Sequence, residues 1–220
     1  MATARAVPAY LEVGARRTFA AAVDWPGWCR SGKTEEAALD ALADYVARYA
    51  VVAKAAKVAF ALPADPRFRV VERVPGNATT DFGAPGVVPD LDRRRATRRT
   101  AERDVDLVEA AWRVFDGLVA GAPASLRKGP RGGGRDRDKI VEHVLAAETA
   151  YARKIGLRLT EPRRGDRPAI RQHRSAIAEA LRAAKSPEPA TGTRWPPRYA
   201  ARRIAWHVLD HAWEIEDRSS

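Results

Sequence analysis

From Thr100 onward the apolar residues recur at helical spacing in four blocks, and glycine- or proline-bearing breakers separate them. No other feature constrains the chain as strongly, because a helix with one apolar stripe must bury that stripe against another element. The first block runs from about Thr100 to Val119, with Val105, Val108, Trp112, Phe115 and Val119 at near-heptad spacing, and Gly121-Ala122-Pro123 stops it. The second runs from about Asp136 to Ile155. It carries Ile140, Val144, Ala147, Tyr151 and Ile155 on one face and ends at Gly156, a natural C-terminal cap. The third spans about Pro168 to Ala184, with proline in its first turn. The fourth spans about Pro197 to Asp217. Four such helices with modest connections predict an antiparallel four-helix bundle over residues 99–220.

Residues 1–75 have another rhythm. Ala6 to Val13 and Arg17 to Val23 read as two short strands around Gly14-Ala15, followed by the turn Asp24-Trp25-Pro26-Gly27. Cys29 to Gly32 is a brief third strand. Thr34 is placed to cap a helix whose first turn carries Glu35 and Glu36, at the positive end of the helix dipole. Ala38, Leu42, Tyr45, Val46 and Tyr49 recur on one face, and the spacing carries the helix to about Phe60. Phe68 to Val74 closes the segment as a strand. Residues 76–98, rich in glycine and proline near their start, read as a linker. The expected fold class is therefore α+β, a small β-β-β-α-β domain followed by the helical bundle.

With 220 residues and 45% apolar side chains, the chain has material for a real core. The single cysteine, Cys29, excludes an intrachain disulfide and fits a reducing, cytoplasmic setting. The first ten residues lack the apolar stretch of a secretory signal, and no run is long enough to span a bilayer, so no membrane association is expected. The formal charge of +11 raises the question of nucleic acid. However, the basic residues gather in connecting segments, such as Arg93 to Arg95 and Arg127 to Arg137, and arginine and alanine are abundant throughout, as in a GC-rich coding sequence. Nucleic acid is not the expected partner. Gly27 to Thr34 also fits the P-loop pattern, Gly, four residues, Gly-Lys-Thr. A P-loop needs several parallel strands and a second acidic residue for magnesium, which a segment of this length does not supply.

Three of the four histidines are placed for chemistry. His207 and His211 are four apart, on one face of the fourth helix, bordering Ile204, Val208 and Ile215. His143 borders the apolar face of the second helix. Uncompensated imidazoles beside a core are costly, and three of them meeting inside a bundle suit zinc or nickel with positions left open. Glu214 is placed to orient a ligand, and Asp210 or Glu214 to move a proton. Arginines of the glycine-rich loop, Arg131, Arg135 and Arg137, are candidates for pairing with an anionic small-molecule substrate. His173, among Arg171, Gln172 and Arg174, reads as solvated. Trp206, Leu209 and Trp213 lie opposite the histidines, so the fourth helix is expected to bury a second side, on the N-terminal part or on a second copy of the chain in a homodimer. Cys29 beside Arg30 reads either as a reactive thiol or as a half-buried strand cysteine.

Ile140-Val141-Glu142-His143-Val144-Leu145-Ala146-Ala147-Glu148 and Ala205-Trp206-His207-Val208-Leu209-Asp210-His211-Ala212-Trp213-Glu214 resemble the DinB-like superfamily. That family carries its first metal histidine on the second helix and a His-x-x-x-His pair on the last. The resemblance implies a divalent metal on His143, His207 and His211. In the thiol-dependent S-transferases of the superfamily it also implies a low-molecular-weight thiol. The long Gly- and Arg-rich loop before the second helix departs from the pattern. Asp24-Trp25-Pro26-Gly27 followed by Gly32-Lys33-Thr34-Glu35-Glu36-Ala37-Ala38 resembles the HicB-like antitoxin domain, which implies a small partner-binding α+β module of partial RNase-H-like topology. Two functions remain open at this point. One is a metal-dependent thiol S-transferase or hydrolase; the other is a non-catalytic partner-binding protein on a metal-stabilised scaffold.

Overall fold

The computed structural model describes residues 6–94, 96–129, 134–183 and 194–219. Strands β1 (Val7–Val13), β2 (Thr18–Ala22), β3 (Cys29–Gly32) and β4 (Phe68–Pro75) form one mixed sheet in the order β3-β2-β1-β4. The two hairpin-linked pairs are antiparallel, and β4 returns to lie parallel to β1. The crossover that brings it back consists of α1 (Glu35–Asp44) and α2 (Val46–Ala55). Thr34 caps α1 by accepting from the Ala37 amide at 3.2 Å.

The expected single helix to Phe60 is two helices. The chain breaks at Tyr45, whose ring lies on Trp213 with centroids 4.9 Å apart, beneath the guanidinium of Arg30 at 4.0 Å. After α2 the backbone turns through Lys57 at positive φ, and Phe60 folds back onto Trp25 and Trp28. Trp28 donates to the Leu42 carbonyl and Tyr49 to the Pro26 carbonyl, each at 2.8 Å, so both buried polar tips are satisfied.

Every residue of β2 is buried, because both faces of the sheet are covered. Val7, Ala9, Leu11, Ala20 and Ala22 share a core with Ala38, Leu42, Val46 and Tyr49 of α1 and α2. Tyr10, Phe19, Ala21 and Cys29, on the opposite face, share a cluster with Leu91 and Trp206. The segment expected to be a linker is part of this second cover. It contains α3 (Ala78–Phe82) and α4 (Asp90–Arg93). The buried Glu12 of β1 holds it down by accepting from Thr80 Oγ1 and from the Gly86 and Val87 amides. Glu72 accepts from the Asp90 and Leu91 amides at the start of α4. Glycines and prolines point to an unstructured stretch, whereas the buried Glu12 and the half-buried Glu72 satisfy its backbone and order it.

The helical part comprises α5 (Arg98–Gly121), α6 (Arg137–Lys154), α7 (Arg167–Ala183) and α8 (Pro197–Ser219), within one to two residues of the expected starts and ends. Helix α8 packs on α5, α6, α7 and α4. Its other side faces the sheet: Trp206 meets Phe19 edge-on at 5.9 Å, and Arg202 donates to the Ala22 and Val23 carbonyls while pairing with buried Asp92 at 2.8 Å. The second buried side of α8 is therefore covered within the chain, by the N-terminal part. Gly27, at positive φ, lies where a Cβ would come within 2.7 Å of Leu209 and 3.0 Å of Ala205. Gly32 abuts the backbone of Ala37 and Ala38 equally closely. The two glycines of the P-loop pattern are thus spent on close packing in a mixed sheet. Among the described residues no helix is long and apolar enough to cross a membrane.

Candidate metal centre

His143 on α6 and His207 and His211 on α8 converge. The ring centroids are 5.0 Å apart for His143 and His207, 4.9 Å for His143 and His211, and 4.7 Å for His207 and His211. One ligand nitrogen from each ring lies within 4.8 Å of the others. The i, i+4 spacing stacks the two α8 imidazoles on one face, and α6 supplies the third from across the helix pair.

Burial and neighbouring charge disfavour the protonated form of His143 and His207. Burial pushes the pKa of His143 below the ordinary histidine value, and the nearby charges of His211 and Arg135 push the same way. Burial pushes His207 well below it, with contributions from His211 and Arg203. His211 is oriented by Glu214, with Nδ1 and Oε2 at 2.8 Å. In the neutral tautomer with Nδ1 donating to Glu214, the free lone pair is on Nε2. Burial pulls the Glu214 carboxyl up, but the bonds from His211 and Arg218 outweigh it and hold the group below its ordinary value, hence ionised. Glu214 thus acts on the centre through His211, in the manner of the carboxylates that orient metal-binding histidines. His207 lacks such support: its Nδ1 is buried with no hydrogen-bond partner among the described residues.

The donor set fits a borderline divalent ion. Two imidazole nitrogens on one tetrahedral zinc sit about 3.3 Å apart, and Nε2 of His143 and of His207 are separated by 3.2 Å.

The other candidates are distributed differently. Asp210 is taken up by Arg30 of β3 at 2.8 Å, so it ties α8 to the sheet. Arg137 donates to the Ala122 carbonyl and pairs with Asp138, an arrangement that fastens the start of α6 to the end of α5. Arg135 is exposed, with its charge close enough to be felt at His143 and His207. Arg131 lies outside the described residues. Cys29 is buried in the second core cluster, and burial raises its thiol pKa far above the ordinary value, so it is the inert strand cysteine rather than a reactive thiol.

His173 is a correction. It is buried, not solvated, and its Nε2 lies 3.0 Å from Thr149 Oγ1, whose hydrogen goes to the Leu145 carbonyl. The charged neighbours in the sequence misled: Arg174 is itself buried, paired with Glu148 and Asp116.

Two residues beside the centre are not among the site candidates of the sequence, although Tyr151 lies on the inner face read there. Tyr151 presents its ring edge-on to His207 at 5.6 Å, and Arg203 stacks over Tyr151 at 5.2 Å. Their signal was the spacing: Tyr151 is eight residues past His143, and Arg203 four before His207, on the same helical faces. No family model, curated protein or solved structure matches this chain.

Proposed function

We propose that the chain is a divalent-metal-dependent enzyme acting on a small-molecule substrate. Its helical part is read as a DinB-like four-helix bundle, and its N-terminal part as a HicB-like module. The observation that carries the reading is the convergence of three imidazoles, two of them desolvated and neutral, with the third oriented by a carboxylate. His143, His207 and His211 would hold the ion, zinc or nickel by their donor chemistry. Bound there, such an ion supplies Lewis acidity and lowers the pKa of a thiol or water brought to it. The residues of the chain do the rest. Glu214 keeps the His211 lone pair pointed inward, Tyr151 walls one side of His207 against water, and Arg135 offers positive charge to an anionic reactant. Transfer to or from a low-molecular-weight thiol is the reaction class we favour, with hydrolysis as the variant in which water takes the place of the thiol.

The test is metal content by mass spectrometry on protein purified without an affinity tag, beside His207→Ala. One equivalent of transition metal in the wild type, lost in the variant, supports the reading and opens a screen of thiol-transfer substrates. No metal in the wild type, and none taken up when zinc or nickel is offered, overturns it. The second reading, a non-catalytic partner-binding protein, has its support in Phe82, which stands 90% exposed on α3.

A further inference from the structure

Among the described residues of the helical part three arginines are almost wholly buried, and two of these are fully compensated. Arg174, 7% exposed, holds Glu148 and both oxygens of Asp116. Arg202, 6% exposed, holds Asp92 and two backbone carbonyls. Arg203 is 8% exposed, and its buried Nη1 has no hydrogen-bond partner among the described residues. Its guanidinium lies between two rings, 4.5 Å over Trp206 and 5.2 Å over Tyr151. Aromatic faces attract the charge, but they accept none of its directional N–H bonds. A buried cation without a counter-ion is costly, which makes such a group in a cleft a functional-site candidate.

The position of Arg203 says what for. It sits one helical turn before His207, and the Tyr151 ring it stacks on is the one that faces His207.

We propose that Arg203 is the seat for an anionic group of the substrate, a carboxylate, held beside the three histidines between Tyr151 and Trp206. This rests on reading the histidines as a metal centre, since that is what makes the ligand a substrate. The guanidinium fork matches a carboxylate in two-point geometry, and the aromatic walls exclude the water that would compete. The seat thus selects small acids, and its place one turn from His207 sets the carboxylate apart from the atom that reacts.

Malonate is the probe. It is titrated by calorimetry into zinc-loaded and zinc-free wild type, Arg203→Met and Arg203→Lys, with zinc content and thermal melting followed in each. Malonate is expected to bind the wild type. Arg203→Met should weaken it at least tenfold with zinc content unchanged and with a melting temperature, in malonate-free buffer, no lower than that of the wild type. Arg203→Lys, which keeps the charge without the fork, should fall between, and it carries the comparison if Arg203→Met does not fold. No malonate binding to the wild type in either form, or equal affinity in the variants, overturns the seat. A variant that melts lower with unchanged affinity assigns Arg203 to packing alone and also overturns it. Failure to take up zinc while malonate binding still depends on Arg203 removes the metal reading and leaves the seat standing.

Discussion

His143 and His207 face each other Nε2 to Nε2 at 3.2 Å, across α6 and α8. Two neutral imidazoles can share such a separation if one donates, or if both lone pairs point at a cation. The second arrangement makes an energetic prediction. On the proposed reading zinc would bind only the folded chain, so at a hundredfold excess over its dissociation constant it should stabilise the wild type by about 2.7 kcal/mol. Calorimetric melts with and without zinc check this, and His143→Ala should show no zinc-dependent shift.

Glu214 touches the centre only through His211. Glu214→Gln keeps the shape but weakens the bond that sets the His211 tautomer, and a loss of roughly 10- to 100-fold in zinc affinity is expected. A competition titration against a chromogenic chelator reads it. Unchanged affinity would make the carboxylate a partner of Arg218 and nothing more.

Burial and then the neighbouring Arg174 charge hold His173 below the ordinary histidine value. The unfolded chain therefore takes up the proton first as pH falls. Stability is fully present above about pH 6.5, the ordinary value, and declines as pH drops from there toward the folded value. His143 and His207 act in the same direction. Urea unfolding at pH 7.5 and 5.5 should show the decline, and His173→Asn should make it shallower.

Arg174 is compensated by a buried and an exposed carboxylate. Removing the cation alone leaves Glu148 buried and unpaired, so Arg174→Met should cost about 3–5 kcal/mol. The double variant Glu148→Leu, Arg174→Met should recover most of that loss in denaturant unfolding, because the orphan charge is gone.

Trp206 joins the sheet to α8 through Phe19 and the aromatic cluster around Tyr10. Trp206→Ala is expected to destabilise by about 3–5 kcal/mol. A smaller loss in equilibrium unfolding would mean that the seam between the two parts closes over the cavity.

The helices were legible because their evidence is local: an apolar stripe at helical spacing, a proline at the start of α7 and α8, and a glycine at the end of α5 and α6. The histidine centre was legible for the same reason, since His207 and His211 need only one helix to be brought together and His143 marks the inner face of another. What depended on contacts distant in sequence was not. Nothing near Glu12 announces that its carboxylate will order the chain at Gly86 and Val87. Arg203 and Arg202 look alike as neighbours in a basic run, and only the packed structure shows that one is neutralised by Asp92 while the other is left to rings. The charged neighbours of His173 in sequence point to solvent, but Arg171 and Gln172 are exposed while Arg174 turns inward with it to a buried ion pair.

Both faces of α8 are structural property of other elements, one shared with α5, α6 and α7 and the other with a sheet begun at Val7. On the ribosome the order of manufacture is the reverse of what that core wants. The strands emerge first, and the helix that seals Phe19 and Cys29 from water emerges long after them. Until α8 is released, the nascent chain carries an aromatic sheet face and three helix stripes with their common partner still missing. Closure must therefore be late and largely all at once, dominated by contacts distant along the chain, which makes for slow folding and a dependence on protection during synthesis.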